Sequence, residues 1–296
     1  MSLLNRPGDG IHSVLIVIFK LLSPKKKVDR KRILALCAPG EMPDKMARQT
    51  LNTWIDLGLF TEDEGGVCIH SNIKPADRKL ENLPRLCRKL VMSNRNNENF
   101  WESEENRASD FTRALCWMLA QDSWNVDFGG WDGAETLMVQ QCPSEKIVQN
   151  DTRWSGLKAW LVFLGFGWNA RYPSSPVIAD PSDAIRDELA NIFGKKREMV
   201  ASDLISSLAA NLPVLDGGEY RLNVEDKLRD NSGAQAWQPV KNNMISTSLS
   251  RSLLRLEESG VIHGRLEDDF DVSRRVILSG KEGSVLKTYS HYRWNK

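Results

Sequence analysis

The chain has 296 residues, enough for two or three domains, and its 41% hydrophobic and 27% charged residues are fractions typical of globular proteins, which excludes a disordered chain. The formal net charge of +1 excludes a uniformly basic or acidic protein. Five cysteines without a CxxC pair predict neither a disulfide framework nor a zinc site.

The first predicted element is a buried helix formed by the apolar run over residues 11–21. This run is shorter than the roughly 20 residues that a membrane span needs. Polar residues precede it and no cleavage pattern follows closely, so it makes a poor signal peptide. We therefore expect no membrane partner and, with the scattered cysteines, a cytoplasmic location.

Residues 1–97 are predicted to form a first, basic domain of helices that ends in a β-hairpin. One helix begins near Asp29, and a second follows Pro43, buries Trp54 and ends at Gly58. The hairpin that follows has an acidic turn, whereas a turn that touches phosphate would more often be basic. Cations and amides on the polar face of the second helix suit recognition of phosphate and bases. The candidate nucleic-acid contacts are these residues and three preceding lysines: Lys25, Lys26, Lys27, Lys45, Arg48, Gln49 and Asn52.

Residues 98–180 are predicted to form a central helical domain, which begins where acidic residues replace basic ones. It holds seven of the ten tryptophans. Three helices are predicted, and the last ends in Leu164 and Gly165 as the first domain's helix ends in Leu57 and Gly58. At helical spacing tryptophans are more often core than base-stacking platforms, although single-strand binding stays an alternative.

Residues 181–296 are predicted to form a C-terminal domain that repeats the first, with an insertion over residues 212–240. After two helices and this insertion, a third helix buries Leu249 and Leu253 and ends at Gly260. Two β-like runs, 261–266 and 272–278, are predicted to pair as a hairpin. The candidate contacts lie at the start of the helix, on its polar face and on the returning strand: Asn243, Arg251, Arg255, Arg274 and Arg275.

No catalytic constellation is found in the sequence. It contains no phosphate-binding loop, dinucleotide motif, HExxH or nucleophile elbow. The four histidines have no neighbours at ligand spacing, and adjacent carboxylates such as Asp268 and Asp269 favour solvated charge over a nuclease metal site. We therefore expect a non-enzyme with no catalytic residue, no metal and no cofactor.

The repeated phrase of an amphipathic helix, a glycine and a β-prone pair, at residues 51–60 and 253–262, resembles the end of a winged helix-turn-helix. The resemblance implies a fold that is mostly α with small β-hairpin wings, in the α+β class, with tandem winged helix-turn-helix domains. The central domain is a possible third copy. Transcriptional regulators, replication proteins and protein-binding subunits share this fold, so it specifies little about function.

The phrases at residues 1–10, 160–167 and 212–218 resemble the DpdG family. This family belongs to the bacterial Dpd cluster, which installs 7-deazaguanine derivatives in DNA and restricts unmodified foreign DNA. The resemblance implies a non-catalytic member of the restriction arm, a phage-defence complex, beside helicase, ATPase or nuclease subunits. It supplies no active-site residues.

The sequence favours a DNA-binding adaptor that holds duplex DNA on basic helix faces and contacts its complex through the aromatic middle. One alternative is a protein-interaction scaffold whose winged helices bind partner subunits. Another is a winged-helix transcriptional regulator, which would bind a palindromic site as a dimer. An enzyme is the least favoured class.

Overall fold

The computed structural model describes residues 2–4, 12–24, 27–40, 43–102, 107–126, 128, 130–169, 177–231, 236–241 and 243–295. The fold is α+β, with helices that alternate with small sheets. The α-helices are α1 (His12–Leu22), α2 (Arg30–Cys37), α3 (Lys45–Asp56), α4 (Leu83–Val91), α5 (Ser109–Ala120), α6 (Trp131–Gln141), α7 (Asp151–Phe163), α8 (Ser182–Phe193), α9 (Ala201–Asn211), α10 (Glu219–Arg229) and α11 (Thr247–Glu258). The strands are β1 (Phe60–Asp63), β2 (Gly66–Ile69), β3 (Gly167–Asn169), β4 (Val177–Ala179), β5 (Glu198–Val200), β6 (Met244–Ile245), β7 (Ile262–Arg265), β8 (Val276–Ser279), β9 (Val285–Tyr289) and β10 (His291–Trp294).

The chain divides into two compact units. The N-terminal unit comprises Met1–Thr112 and Val148–Leu164, and the C-terminal unit comprises Arg113–Ile147 and Gly165–Lys296. Of the predicted central domain, α7 belongs to the first unit and α6, β3 and β4 to the second. The division into domains 1–97, 98–180 and 181–296 stays a prediction beside these two units.

In the N-terminal unit, local signals in the sequence account for the start and end of the helices before the hairpin. The Asp29 carboxylate accepts a hydrogen bond from the backbone N–H of Arg32 at 3.1 Å and so caps α2. After α3 the chain turns at Gly58, whose φ of +92° suits glycine. Strands β1 and β2 then pair antiparallel, and Val28 adds a bridge to Val67. The hairpin is therefore extended by the residue that precedes α2.

The core of the N-terminal unit is aromatic. Trp54 of α3 is fully buried, and its ring centroid lies 5.4 Å from that of Trp160 in α7. His12 of α1 stacks on Phe163 at a centroid distance of 4.7 Å. These contacts join α1, α3 and α7, so in this unit the tryptophans of α3 and α7 are core residues, as the sequence predicts.

In the C-terminal unit, β10 lies between β5 and β7 in an antiparallel sheet, and β8 lies between β6 and β9 in a second sheet. The predicted hairpin between 261–266 and 272–278 is therefore wrong, because β7 pairs with β10. Gly264 explains part of this choice, since a Cβ there would lie 2.4 Å from the Tyr289 ring. The small residue admits an aromatic ring that arrives later in the chain.

The insertion over residues 212–240 contains α10, whose Tyr220, Val224 and Leu228 are buried. The helix therefore belongs to the packed body of the C-terminal unit. Among the helices that the structure describes, none has the length and hydrophobicity needed to cross a membrane.

Candidate nucleic-acid interface

The predicted contacts on α3 differ in how they are held. Lys45 is exposed and forms no hydrogen bond or ion pair within the described part of the chain. Arg48 pairs with Asp44 at 2.6 Å, and both side chains are largely in solvent. Gln49 is half-buried, and Asn52 accepts a hydrogen bond from Arg30. The first turns of α3 therefore carry the most accessible cations of this face.

Ion pairs partly neutralise the acidic turn of the hairpin. Lys27 contacts Asp63 at 2.6 Å, and Arg30 contacts Glu62 at 2.5 Å. The hydrogen bond between Lys27 and Asp63 raises the pKa of the lysine and lowers the pKa of the carboxyl group. Lys27 is therefore engaged within its own hairpin. Lys25 and Lys26 lie outside the described residues.

Two cations that the prediction of contact residues omitted are Lys31 and Arg32, both exposed in the first turn of α2. Neither forms an ion pair with any residue that the structure describes. The signal in the sequence is the run of basic residues that begins at Lys25. Neighbouring residues of such a run lie on different faces of the structure. The run alone therefore does not show which cations are free and which form ion pairs.

In the C-terminal unit, three of the predicted contacts stabilise loops. Asn243 occupies a turn before β6 with φ of +63°, and its carbonyl accepts a hydrogen bond from Ile277 at 3.0 Å. Arg274 pairs with Asp203 at 2.9 Å. Arg275 donates to backbone carbonyls of the loop after β7, including that of Asp268 at 2.6 Å. Asn243 lies just before β6 and α11, near the start of the helix as predicted.

Arg251 and Arg255 lie one turn apart on α11, and each covers a tryptophan. The guanidinium carbon of Arg251 lies 4.9 Å from the ring centroid of Trp124, and that of Arg255 lies 5.5 Å from the ring of Trp168. Arg251 also donates to the carbonyl of Ser123 at 3.0 Å. We call these four side chains, Trp124, Arg251, Arg255 and Trp168, the α11 ladder.

A carboxylate fixes one end of the α11 ladder. Asp180 accepts a hydrogen bond from Arg255 at 2.6 Å and another from Ser182. Burial alone would raise the pKa of Asp180, but these hydrogen bonds outweigh it and hold the pKa below its ordinary value. Asp180 is therefore ionised at neutral pH and anchors Arg255.

A cleft of about 590 Å³ opens beside the turn after α5 and is lined by Gln121, Gln141 and Trp237, among others. Its amides are already used, since Gln141 donates to Gln121 at 2.9 Å and accepts from Trp117 at 2.8 Å. Among the described residues, no three histidine, cysteine or carboxylate side chains are grouped to hold a metal ion. The predicted contacts of this part of the chain therefore form open faces, and the cleft beside α5 is lined by amides that already bind one another.

Comparison with known proteins identifies a family. A family model described as DpdG-like matches residues 1–271. The match includes α11 and β7 and every predicted contact except Arg274 and Arg275. No curated protein and no solved structure gives a significant match.

Proposed function

We propose that this chain, which belongs to the DpdG-like family, is a non-catalytic, duplex-DNA-binding adaptor subunit of the Dpd defence system. Family membership associates the chain with that system, and the adaptor role is our inference. The partners expected from the family are helicase, ATPase or nuclease subunits.

The element order of each unit supports winged helix-turn-helix modules. In the N-terminal unit α1 is followed by the bridging Val28, then α2, α3 and the β1–β2 hairpin. In the C-terminal unit α8 is followed by β5, α9, the inserted α10, β6, α11 and β7, and β10 pairs with both β5 and β7. Apart from α10 and β6, each series has three helices, an extended segment between the first two, and a terminal ribbon to which that segment is added. We propose that α3 and α11 occupy the recognition-helix position.

The observation that carries duplex binding is the accessible polar face of α3. In helix-turn-helix proteins the N-terminal residues of the recognition helix contact the bases. Lys45 begins α3 and, among the described residues, has no partner, and Gln49 follows one turn later. The exposed ion pair between Arg48 and Asp44 is of a kind worth only about 0–1 kcal/mol. A DNA phosphate can therefore replace Asp44 at little cost.

The test is a salt titration of duplex binding by the full chain. Lys45→Glu with Arg48→Glu should weaken the affinity for a labelled duplex and reduce the log–log salt slope by about 0.9 for each lost phosphate contact. Lys74→Glu is the matched control, because Lys74 is exposed in the same unit but lies outside α3. If the unaltered chain shows no salt-dependent duplex binding, or if both variants lose affinity equally, the proposal is wrong.

A protein-interaction scaffold is the second candidate, favoured by the internal use of cations. Arg255, Arg274 and Arg275 bind groups of the chain itself, and Val272 and Val285 are exposed at 66% and 61%. Such a scaffold would keep its partner subunits through a high-salt wash and would bind no duplex. Dissociation of the partners in high salt together with duplex binding would favour the adaptor instead.

A further inference from the structure

Only two of the ten tryptophans, all of which lie in the described part of the chain, are largely exposed. Trp124 is 49% exposed and Trp168 is 38% exposed. Tryptophan is usually well buried, so open indole rings indicate a partner. Both rings belong to the α11 ladder, where each is covered by an arginine from the same helix. The exposure is therefore concentrated at one place in the C-terminal unit.

The α11 ladder is held in position from both ends. At the Trp124 end, Thr247 accepts a hydrogen bond from the backbone N–H of Ser123 at 2.9 Å, and Ser248 donates to the carbonyl of Leu119 at 2.7 Å. At the Trp168 end, Ser252 and Arg255 both donate to Asp180, at 3.0 and 2.6 Å. The turn that carries Trp124 and the segment after β4 are thus fixed to α11. A rigid aromatic surface loses little conformational entropy when it binds.

We propose that the α11 ladder binds single-stranded DNA by stacking unpaired bases on Trp124 and Trp168. Residues four apart on a helix have Cβ atoms roughly 5–6 Å apart, and Arg251 and Arg255, which contact the two rings, have this spacing on α11. Every base has a face that stacks on an indole, and planar guanidinium groups such as that of Arg251 also stack on bases. An aliphatic partner would use neither property.

The charges around the α11 ladder predict that its affinity for single-stranded DNA depends weakly on salt. Asp180 neutralises Arg255, and Asp122, which accepts a hydrogen bond from the backbone of Trp124 at 3.0 Å, lies beside the other end. Stacking therefore contributes more than phosphate attraction, and single-strand affinity should change less with salt than duplex affinity on α3. The site is independent of the proposed duplex binding, because it uses different residues of a different unit.

The test measures binding by fluorescence anisotropy. The full chain is titrated against a fluorescein-labelled twelve-nucleotide oligo(dT) and against an abasic strand of equal length. The unaltered chain should bind oligo(dT) with quenching of indole fluorescence and bind the abasic strand far more weakly. Trp124→Ala and Trp168→Ala should each reduce oligo(dT) affinity on the order of 5- to 100-fold. Trp124→Phe with Trp168→Phe should retain most of it, because phenylalanine still stacks.

Two controls make the outcome decisive. Unchanged circular dichroism and urea midpoints for the phenylalanine pair show that the fold is intact, and Lys45→Glu with Arg48→Glu should leave oligo(dT) binding unchanged even if duplex binding is lost. Equal binding of the abasic strand, no oligo(dT) binding by the unaltered chain, or full binding by both alanine variants would overturn the proposal. Protection of the two indoles by a protein subunit, without oligo(dT) binding, would assign the ladder to protein docking and also overturn it.

Discussion

A buried ion pair in α10 predicts that its two partners have unequal effects on stability. Arg221 is 1% exposed, and its Nε donates to Glu225 at 2.6 Å. Its next carboxylate, Asp216, is 3.9 Å away, and Arg221 Nη1 has no hydrogen-bond partner in the described part of the chain. Glu225 has a second partner, the exposed Arg229 at 3.0 Å. Loss of Glu225 thus leaves the buried cation with only the more distant Asp216, whereas loss of Arg221 leaves a carboxylate that is still paired with Arg229.

The magnitudes follow from this asymmetry. Glu225→Ala removes the nearest counter-charge of a buried cation and should lower the free energy of unfolding by about 3–5 kcal/mol. Arg221→Met keeps most of the volume of the side chain and removes one charge-assisted hydrogen bond, which costs about 1.5–3 kcal/mol. The midpoints of these two ranges differ by about 2 kcal/mol, with Glu225→Ala the less stable variant.

Urea unfolding followed by circular dichroism measures the difference, with midpoints compared only where the m-value is unchanged. Asp226→Ala is the matched control, because Asp226 is on the same helix, its side chain is 71% exposed and, among the residues that the structure describes, its one ion pair is with Arg229 at the surface. Its effect should stay within about 0.5 kcal/mol. If Arg221→Met destabilises the protein as much as Glu225→Ala, the inference that Arg221 depends more on Glu225 than Glu225 depends on Arg221 is refuted.

Three further predictions concern stability. Gly66→Ala should destabilise more than Gly58→Ala in urea, because both have positive φ but only at Gly66 would a Cβ lie 2.6 Å from a backbone oxygen, that of Val28; equal losses would contradict the clash. Trp54→Ala should cost about 3–5 kcal/mol in the same assay, since Trp54 is fully buried. The depressed pKa of Asp180 stabilises the fold above pH 3.8, its ordinary value, and this contribution is lost as the pH falls through the lower folded-state value. The unfolding free energy of Asp180→Asn should therefore fall less steeply than that of the unaltered chain below pH 3.8.

Helices and their ends could be predicted because their signals are local. The three helices expected in the central domain, residues 98–180, are present as α5, α6 and α7. The glycines expected to end helices, Gly58, Gly165 and Gly260, have φ of +92°, +78° and +72°, a conformation that glycine adopts without strain. Periodicity and a terminating glycine are properties of neighbouring residues, so one sequence suffices to read them.

Strand pairing in the C-terminal unit could not be predicted, because it depends on residues far apart in the chain. The run 272–278 is as β-prone as the strand that pairs with β7, and it lies closer. Selection of β10 depends on Tyr292, fully buried opposite Gly264, and on the Tyr289 ring against that glycine. Such packing has no local signal in sequence.

Only part of the α11 ladder could be predicted from the sequence. Helical spacing identified Arg251 and Arg255 as the polar face of α11, but their partners are 128 and 75 residues away, at Ser123 and Asp180. The expectation that tryptophans are core residues fails for Trp124, which lies in a turn and outside any helix. Its position between polar residues is the signal that would have separated it from the helical tryptophans.

The two proposed recognition helices differ in whether a DNA phosphate can displace the acid that holds their arginine. On α3, the side chains of Arg48 and Asp44 are 53% and 39% exposed, so water already screens the pair and exchange of Asp44 for phosphate changes little. On α11, the side chain of Asp180 is only 9% exposed, and removal of Arg255 would leave this buried carboxylate without its cation, although Ser182 and Ser252 still donate to it. Phosphate therefore competes well for Arg48 and poorly for Arg255. The two proposed recognition helices thus differ in chemistry, with an exchangeable cation face on α3 and a fixed arginine and tryptophan surface on α11.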